Sequence, residues 1–450
     1  LSQQGKQHSA LESNNVKQRK DEINEPTSPS LVASSPVVSD HGSYRALQFS
    51  DFRLLVVGAF LSMFGRQMLT VAIGWELYER TSSALVLGGV GLAQVIPLIA
   101  LFLPAGYIAD RYNRKQVVIV SQVVLVLASL ALTMLSYVHG SLFLIYACLA
   151  VMGGAQSFSN PASSALVAQA VPEYAYENAT TWRSSVAQLS SVIGPAAGGF
   201  LIGLLHGATF VYALSGLTSV IFIVLLIQMR ATHQPQKRAK NQKTLGSLVE
   251  GISFLGRTQV MLAAITLDLF AVLLGGATAL LPIFARDILH VGPVGLGWLQ
   301  AADSLGAVCM ALLLAHRPPF QHAGRSLLLA VAGFGLATII FGLSRWFWLS
   351  LPMLFLLGAC DNISVVVRST LLLVRTPDEM RGRVGAVSSL FIGTSNQLGG
   401  FESGLVAQLF GPVVSVVVGG IGTILVVALI AWRWPEMRRL GRLRETPQDV

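Results

Sequence analysis

Charge is what this chain has least of. Asp, Glu, Lys and Arg make up 12% of its 450 residues, against about a quarter in an ordinary soluble domain. So few charges cannot cover a water-facing surface, and with 53% hydrophobic residues a soluble globular fold is excluded. Cysteine is scarce too: Cys148, Cys309 and Cys360 each sit inside an apolar run, with no metal-ligand spacing. That argues against a disulfide framework or a zinc site and for buried thiols. Gly-x-Ser-x-Gly, His-Glu-x-x-His, Cys-x-x-Cys and a Walker loop are all missing. No enzyme, ATP drive, cofactor or metal is therefore expected. The net charge of +9 does not point to nucleic acid, because basic residues in short loops are what fixes membrane topology.

What the chain has in abundance is apolar length. Twelve runs stand out, at 52–78, 84–109, 116–137, 141–168, 179–204, 207–229, 258–286, 293–315, 325–343, 346–374, 384–408 and 411–433. A bilayer span needs roughly 20 apolar residues, and a lone strand cannot satisfy its backbone in lipid, so all twelve are expected to be helices. The fold class is an all-α membrane protein. An even count puts both ends on one side. Of 31 Lys and Arg, 24 fall in the tails and even-numbered loops, and four (Arg53, Arg66, Arg183, Arg368) within or at the edges of spans. Only three (Arg80, Arg286, Arg345) lie on the other face. Both termini are expected in the cytoplasm.

The expected organisation is a disordered, Ser/Gln/Asn/Pro-rich cytoplasmic tail at 1–48, six spans at 49–229, a linker at 230–257, six spans at 258–434 and a cytoplasmic C-tail at 435–450. Within the linker, Leu245 to Leu255 reads as a short amphipathic helix on the membrane surface. The halves repeat at an offset of 205 residues: Pro172-Glu173 with Pro377-Asp378, Ser164 with Ser369, Leu166 with Leu371, Gly194 with Gly399, Gly199 with Gly404. Six spans per repeat make the repeats parallel, with a pseudo-axis along the membrane normal.

Between the second and third runs lies a tight charged turn, Gly106, then Asp110-Arg111-Tyr112-Asn113-Arg114-Lys115. With twelve spans and the 6+6 repeat, this turn resembles the signature of the major facilitator superfamily, with Asn113 where that signature has Gly. Asn is the next best residue at positive φ, so the turn is expected to survive. Gly194-Pro195-Ala196-Ala197-Gly198-Gly199 is similar to the core of that superfamily's antiporter motif, though Thr181 and Ser190 stand where upstream glycines belong; small residues also serve close packing whatever the transport direction. Leu281-Pro282-Ile283-Phe284-Ala285-Arg286-Asp287 and Thr376-Pro377-Asp378-Glu379-Met380-Arg381-Gly382-Arg383 resemble the branch containing enterobactin exporters and macrolide efflux proteins.

The resemblance implies two six-helix bundles in the major facilitator fold and a proton-coupled exporter. It also implies that Asp110 latches the cytoplasmic side against span eleven, with Gly106 making room and Arg111 and Arg114 holding the carboxylate. Thr376, Pro377 and Glu379 read as a capping box opening a short helix ahead of span eleven.

Counting depth at ~1.5 Å per residue places polar side chains near the bilayer centre: Arg66, Gln67, Gln94, Gln156, Asn160 and Gln188 in the first half, Asp268, Asp303, Asp361, Asn396 and Gln397 in the second. Spans three, six and twelve carry almost nothing polar at that depth, which agrees with the superfamily's lipid-facing positions. A central charge costs at least ~2.5–3.5 kcal/mol, so Asp268, Asp361 and then Asp303 are candidates for proton coupling, and the amides and Arg66 for cargo contact.

The expected function is alternating-access, proton-antiport export of a small amphipathic molecule, a drug or siderophore-like chelate, by a monomer in a bacterial inner membrane. The alternatives are a facilitator or importer of the same fold, or a non-transporting scaffold or receptor. The buried acids argue against the last.

Overall fold

A computed structural model describes residues 44–230, 244–318, 321–439 and 441. Most of the expected N-tail, the basic part of the linker (Lys237 to Lys243) and the chain from 442 lie outside the described residues. Eleven of the twelve apolar runs are single helices with ends within three residues of expectation; the seventh, expected at 258–286, starts as expected but its first helix stops at Leu274. In the first half these are α1 (Ser50–Thr81), α2 (Ala84–Arg111), α3 (Arg114–Tyr137), α4 (Leu142–Ala170), α5 (Tyr176–Leu205) and α6 (Thr209–Gln228). In the second they are α7 (Gln259–Leu274), α8 (Gly292–Ala315), α9 (Ala323–Leu343), α10 (Phe347–Arg375), α11 (Arg381–Phe410) and α12 (Pro412–Arg433).

Eleven spans, with the α7 region counted through Ile288, are long and apolar enough to cross a membrane. The exception is α11, 30 residues long but interrupted by Ser, Thr, Asn, Gln and Gly. Among the described residues no strand occurs. A structure made of helices alone is what lipid requires, since helices satisfy their own backbone.

Helix pairing shows the repeat directly. In the first bundle α1 packs on α5 and α6, α2 on α4, and α3 on α4 and α6. In the second, α7 packs on α11 and α12, α8 on α10, and α9 on α10 and α12, the same pattern six helices later. Large apolar side chains on α3, α6, α9 and α12, such as Leu127, Leu217, Leu329 and Leu425, point outward, where lipid replaces water as solvent.

The two bundles meet along two seams, α2 with α11 and α5 with α8. Gly199 and Gly404, matched by the 205-residue offset, each sit at a close backbone crossing in one seam. A Cβ on Gly199 would stand 2.8 Å from Gly297 Cα of α8, and one on Gly404 2.7 Å from Gly88 Cα of α2. Only a residue without a side chain lets the backbones approach so closely. Gly194 and Gly399 do the corresponding work inside each bundle, against α1 and α7 respectively.

Three local expectations are corrected. Asn113 has φ −62° and ψ 115°, not a positive φ; its side chain accepts from Lys115 N at 3.0 Å and caps α3. Asn suits this turn as an N-cap rather than as a glycine substitute. The capping box at Thr376 does not form: Thr376 is buried with its hydroxyl unbonded, residues 377–380 make a single turn, and α11 starts at Arg381. Span seven is not one continuous α-helix: α7 stops at Gly275, Ala277–Leu280 tightens to a 3₁₀ turn, and Phe284–Ile288 widens to a π-turn. The Gly275-Gly276 pair and Pro282 account for the break.

The linker helix, Thr244–Arg257, lies against α11, where Glu250 pairs with Arg383.

Candidate functional site

We call the face carrying the tight charged turn and both ends of the described chain the basic face. At the other face the bundles are closed on each other. Both glycine crossings lie toward that end. The Ser83 hydroxyl donates to Gln408 Oε1 at 3.0 Å. The Tyr78 hydroxyl donates to the Asp287 carboxylate, while Arg286 Nη1 donates to the Tyr78 carbonyl (3.1 Å) and Ser82 Oγ (3.2 Å). Arg286 also lies over the Tyr78 ring, 5.4 Å from its centroid. A guanidinium at the C-terminal end of α1 meets the negative end of that helix.

Toward the basic face the contacts between α2 and α11 end. Along α2 and α11, contacts run from Gly88–Gly404 through Gln94 and Gln397, whose amides bond at 3.2 Å, to Leu98–Gly393. One further step on, a Cβ at Gly106, Gly382 or Gly385 would meet nothing within 4 Å. The latch position at Gly106 therefore stands clear of α11. The backbone of Asp110 ends α2, and its side chain lies outside the described groups. Around it Arg111 meets the Tyr107 hydroxyl, Arg114 donates to Ala165 O at 3.5 Å, and Lys115 donates to Met229 O at 2.7 Å and Ile227 O at 3.2 Å.

Between the closed face and the basic face lies a cavity of about 490 Å³, within the few-hundred-Å³ range of small-molecule sites. Arg66, Gln67, Gln94 and Gln156 line it from the first bundle, Asp303, Asn396 and Gln397 from the second; Pro195 of the antiporter-like motif also reaches it. Gln300, Thr278 and Ser304 join them and were not foreseen. Their polarity at mid-span was the available signal. Arg66 Nη1 donates to Gln156 Oε1 at 3.3 Å. Gln188 stays on α5 away from the cavity, and Asn160 lines a smaller neighbouring pocket.

Of the three candidate acids, Asp303 alone faces the cavity. Asp268 is buried inside the second bundle and ion-pairs with Arg368, itself buried. Asp361 shares a crevice with Asp268, Cys360 and Ser364, and Gly358, one turn before it on α10, packs directly against Asp303. The acids thus form a line from the cavity wall into the bundle. Near the closed face, buried Glu76 pairs with Arg80, whose guanidinium also bonds Ser136 O (3.1 Å) and Gly140 O (3.3 Å). This holds α1 to the α3–α4 turn.

Two pseudo-symmetric bundles around a polar mid-membrane cavity define a membrane transporter of the major facilitator fold. A family model described as transmembrane secretion effector matches residues 41–445, and the chain belongs to that family. It is 27% identical over 406 residues to the enterobactin exporter EntS of Shigella boydii serotype 4 (strain Sb227), covering 89% of this chain and 94% of the relative. It is 24% identical over 367 residues to the multidrug efflux pump Tap of Mycolicibacterium fortuitum, covering 80% and 89%. Its fold resembles the nucleoside transporter NupG (D323A mutant), with TM-score 0.69 at 11% identity over 85% of this chain and 100% of that one. It also resembles a bacterial homolog of the human lysosomal transporter Spinster, with TM-score 0.66 at 14% identity over 88% and 98%. The family and these relatives are transporters, not enzymes.

Proposed function

We propose that this protein exports a small amphipathic organic molecule, drug or siderophore-like, from the cytoplasm in exchange for protons, by rocking residues 49–229 against 258–434 around the central cavity. The observation that carries this reading is the cavity itself: closed at one face by two glycine crossings, with α2 and α11 out of contact toward the other and Arg66 and Asp303 on opposite bundles. The basic face is cytoplasmic by the positive-inside rule, so the described state opens inward, ready to load. The membrane is a bacterial inner membrane and the working unit a monomer. Relatives named for enterobactin export and multidrug efflux support the outward direction.

Protons reach the acids through the cavity. A proton on Asp303 or Asp361 removes the repulsion between two ionised carboxylates in a low-dielectric interior; cargo bound beside Asp303 competes with that proton. Asp268, held by Arg368, anchors the inner end of the line. In the outward-open state α11 swings onto α2 at Gly106, and Asp110 latches it; opening inward releases that contact.

Inverted membrane vesicles test the reading. With an imposed proton gradient, acid inside, the chain should concentrate its cargo in the lumen from a panel of amphipathic drugs and catecholate chelates, and dissipating the gradient should stop uptake. Gradient-independent equilibration of the same cargo would instead identify a facilitator.

A further inference from the structure

Inside the first bundle, next to the central cavity, is a second pocket of about 60 Å³ bordered by α1, α3, α4, α5 and α6. Its lining carries two guanidinium groups, Arg66 and Arg183, three carboxamides, Gln122, Gln156 and Asn160, and six serines, but no carboxylate. Arg183 Nη1 donates to Ser164 Oγ at 2.8 Å and Arg66 Nη1 to Gln156 Oε1 at 3.3 Å. Among the described residues neither arginine has an acid within ion-pair distance. Both arginines are half-buried; a guanidinium carries five N–H donors, and withdrawing even part of such a cation from water without a counter-charge costs free energy.

The internal repeat shows what is missing. At the 205-residue offset Ser163 corresponds to Arg368, Arg183 to Ser388 and Met63 to Asp268. The first member of each pair lines this pocket, and the second lines the matching crevice between α7, α10 and α11. In the second bundle the cation is Arg368 and the chain supplies Asp268 to neutralise it. In the first bundle the cation has moved to Arg183, and the position of the acid is held by Met63, which is neutral.

We propose that this pocket binds a small inorganic anion, a halide or a tetrahedral oxyanion, that takes the place of the absent carboxylate. Size supports an ion: one water needs roughly 10–15 Å³ by this measure, so the pocket holds a few atoms, whereas drug-sized molecules need roughly 300 Å³ or more. Serine hydroxyls and carboxamide N–H groups supply further neutral donors around the charge. The site belongs to the first bundle alone and stands whether or not the chain couples transport to protons.

The test is thermal unfolding of the purified full chain in detergent, titrated with chloride, sulfate or phosphate against gluconate at matched ionic strength. Gluconate is too large for the pocket. At least one small anion should raise the midpoint saturably while gluconate does not, and the three arms tell halide from oxyanion. Arg183→Gln should remove the response without lowering the midpoint in gluconate. Met63→Asp, which restores the repeat's acid, should raise the midpoint in gluconate and abolish the anion response, and it decides the matter if Arg183→Gln does not fold. Identical curves in all four salts, or a wild-type response in Met63→Asp, would overturn the proposal.

Discussion

The Tyr78 hydroxyl at the end of α1 donates to the Asp287 carboxylate beyond the broken end of α7, bonding two residues 209 positions apart across the seam between the bundles. The neighbouring Arg286 returns a bond to the Tyr78 backbone. These contacts fasten the face that must part when cargo leaves. They sit on the one span whose helix is interrupted, and the 3₁₀ and π turns give that end of the second bundle a geometry of its own.

Tyr78→Phe should therefore favour the outward-open state. A hydrogen bond to a charged group contributes ~1.5–3 kcal/mol when protected. Arg286 and Asp287 are partly exposed, 36% and 47%, so about 1 kcal/mol is expected here, roughly a fivefold shift in the conformational equilibrium. Labelling of a cysteine placed at Gln67 by a membrane-impermeant reagent, applied from the closed face, should quicken accordingly.

Gly404→Val should act more strongly on the same face. Its Cβ would meet Gly88 Cα at 2.7 Å, a backbone contact that cannot yield without separating α2 from α11. Transport should fall to background while folding, followed by detergent-solubilised yield and size-exclusion profile, stays near wild type. Normal turnover would mean the two helices never need to meet there.

Asp268→Asn should cost stability first. Removing one partner of a buried pair leaves an uncompensated charge and costs ~3–5 kcal/mol. The thermal midpoint should drop sharply, and adding Arg368→Met should restore much of it, because the pair removed whole leaves no stranded charge. A double-mutant cycle on unfolding midpoints measures this; additive losses would contradict the pairing.

Asp303→Asn should leave folding intact and change coupling. Under the proposed competition between cargo and proton, wild-type cargo binding weakens as pH falls and protons occupy Asp303. The variant should bind with an affinity that no longer varies with pH. A pH titration of cargo binding in nanodiscs checks this, and an unchanged slope would move the coupling site elsewhere.

The limits of eleven spans were readable in the sequence because lipid imposes length and apolarity on each segment independently; the break in span seven was not. The repeat was readable as well: Gly199 and Gly404 share an offset and turn out to share a role. Arg66, Gln94 and Asn396, singled out by depth counting, line one cavity. Depth does not set rotation about the helix axis, however. Asp268 and Asp303 lie at similar depth, yet one turns into its bundle toward Arg368 and the other into the cavity. The serines of α3 and α6 passed as unremarkable in nearly apolar spans, yet Ser129, Ser215 and Ser219, with Gln122, converge on one pocket. Such convergence depends on packing between helices far apart in sequence. The capping box at Thr376 failed for a related reason: the residue is buried at the end of α10, where tertiary contacts override a local signal.

The most direct test of rocking about the cavity is a pair of distance measurements by double electron–electron resonance. The background would have Cys148, Cys309 and Cys360 replaced by serine, since all three are free thiols. One label pair, Tyr107 with Gly385, reports the basic face; the other, Leu85 with Leu409, reports the closed face. Across a pH titration and on adding cargo, the first distance should shorten as the second lengthens. Two distances that hold constant, or that change in the same direction, would contradict alternating access in this protein.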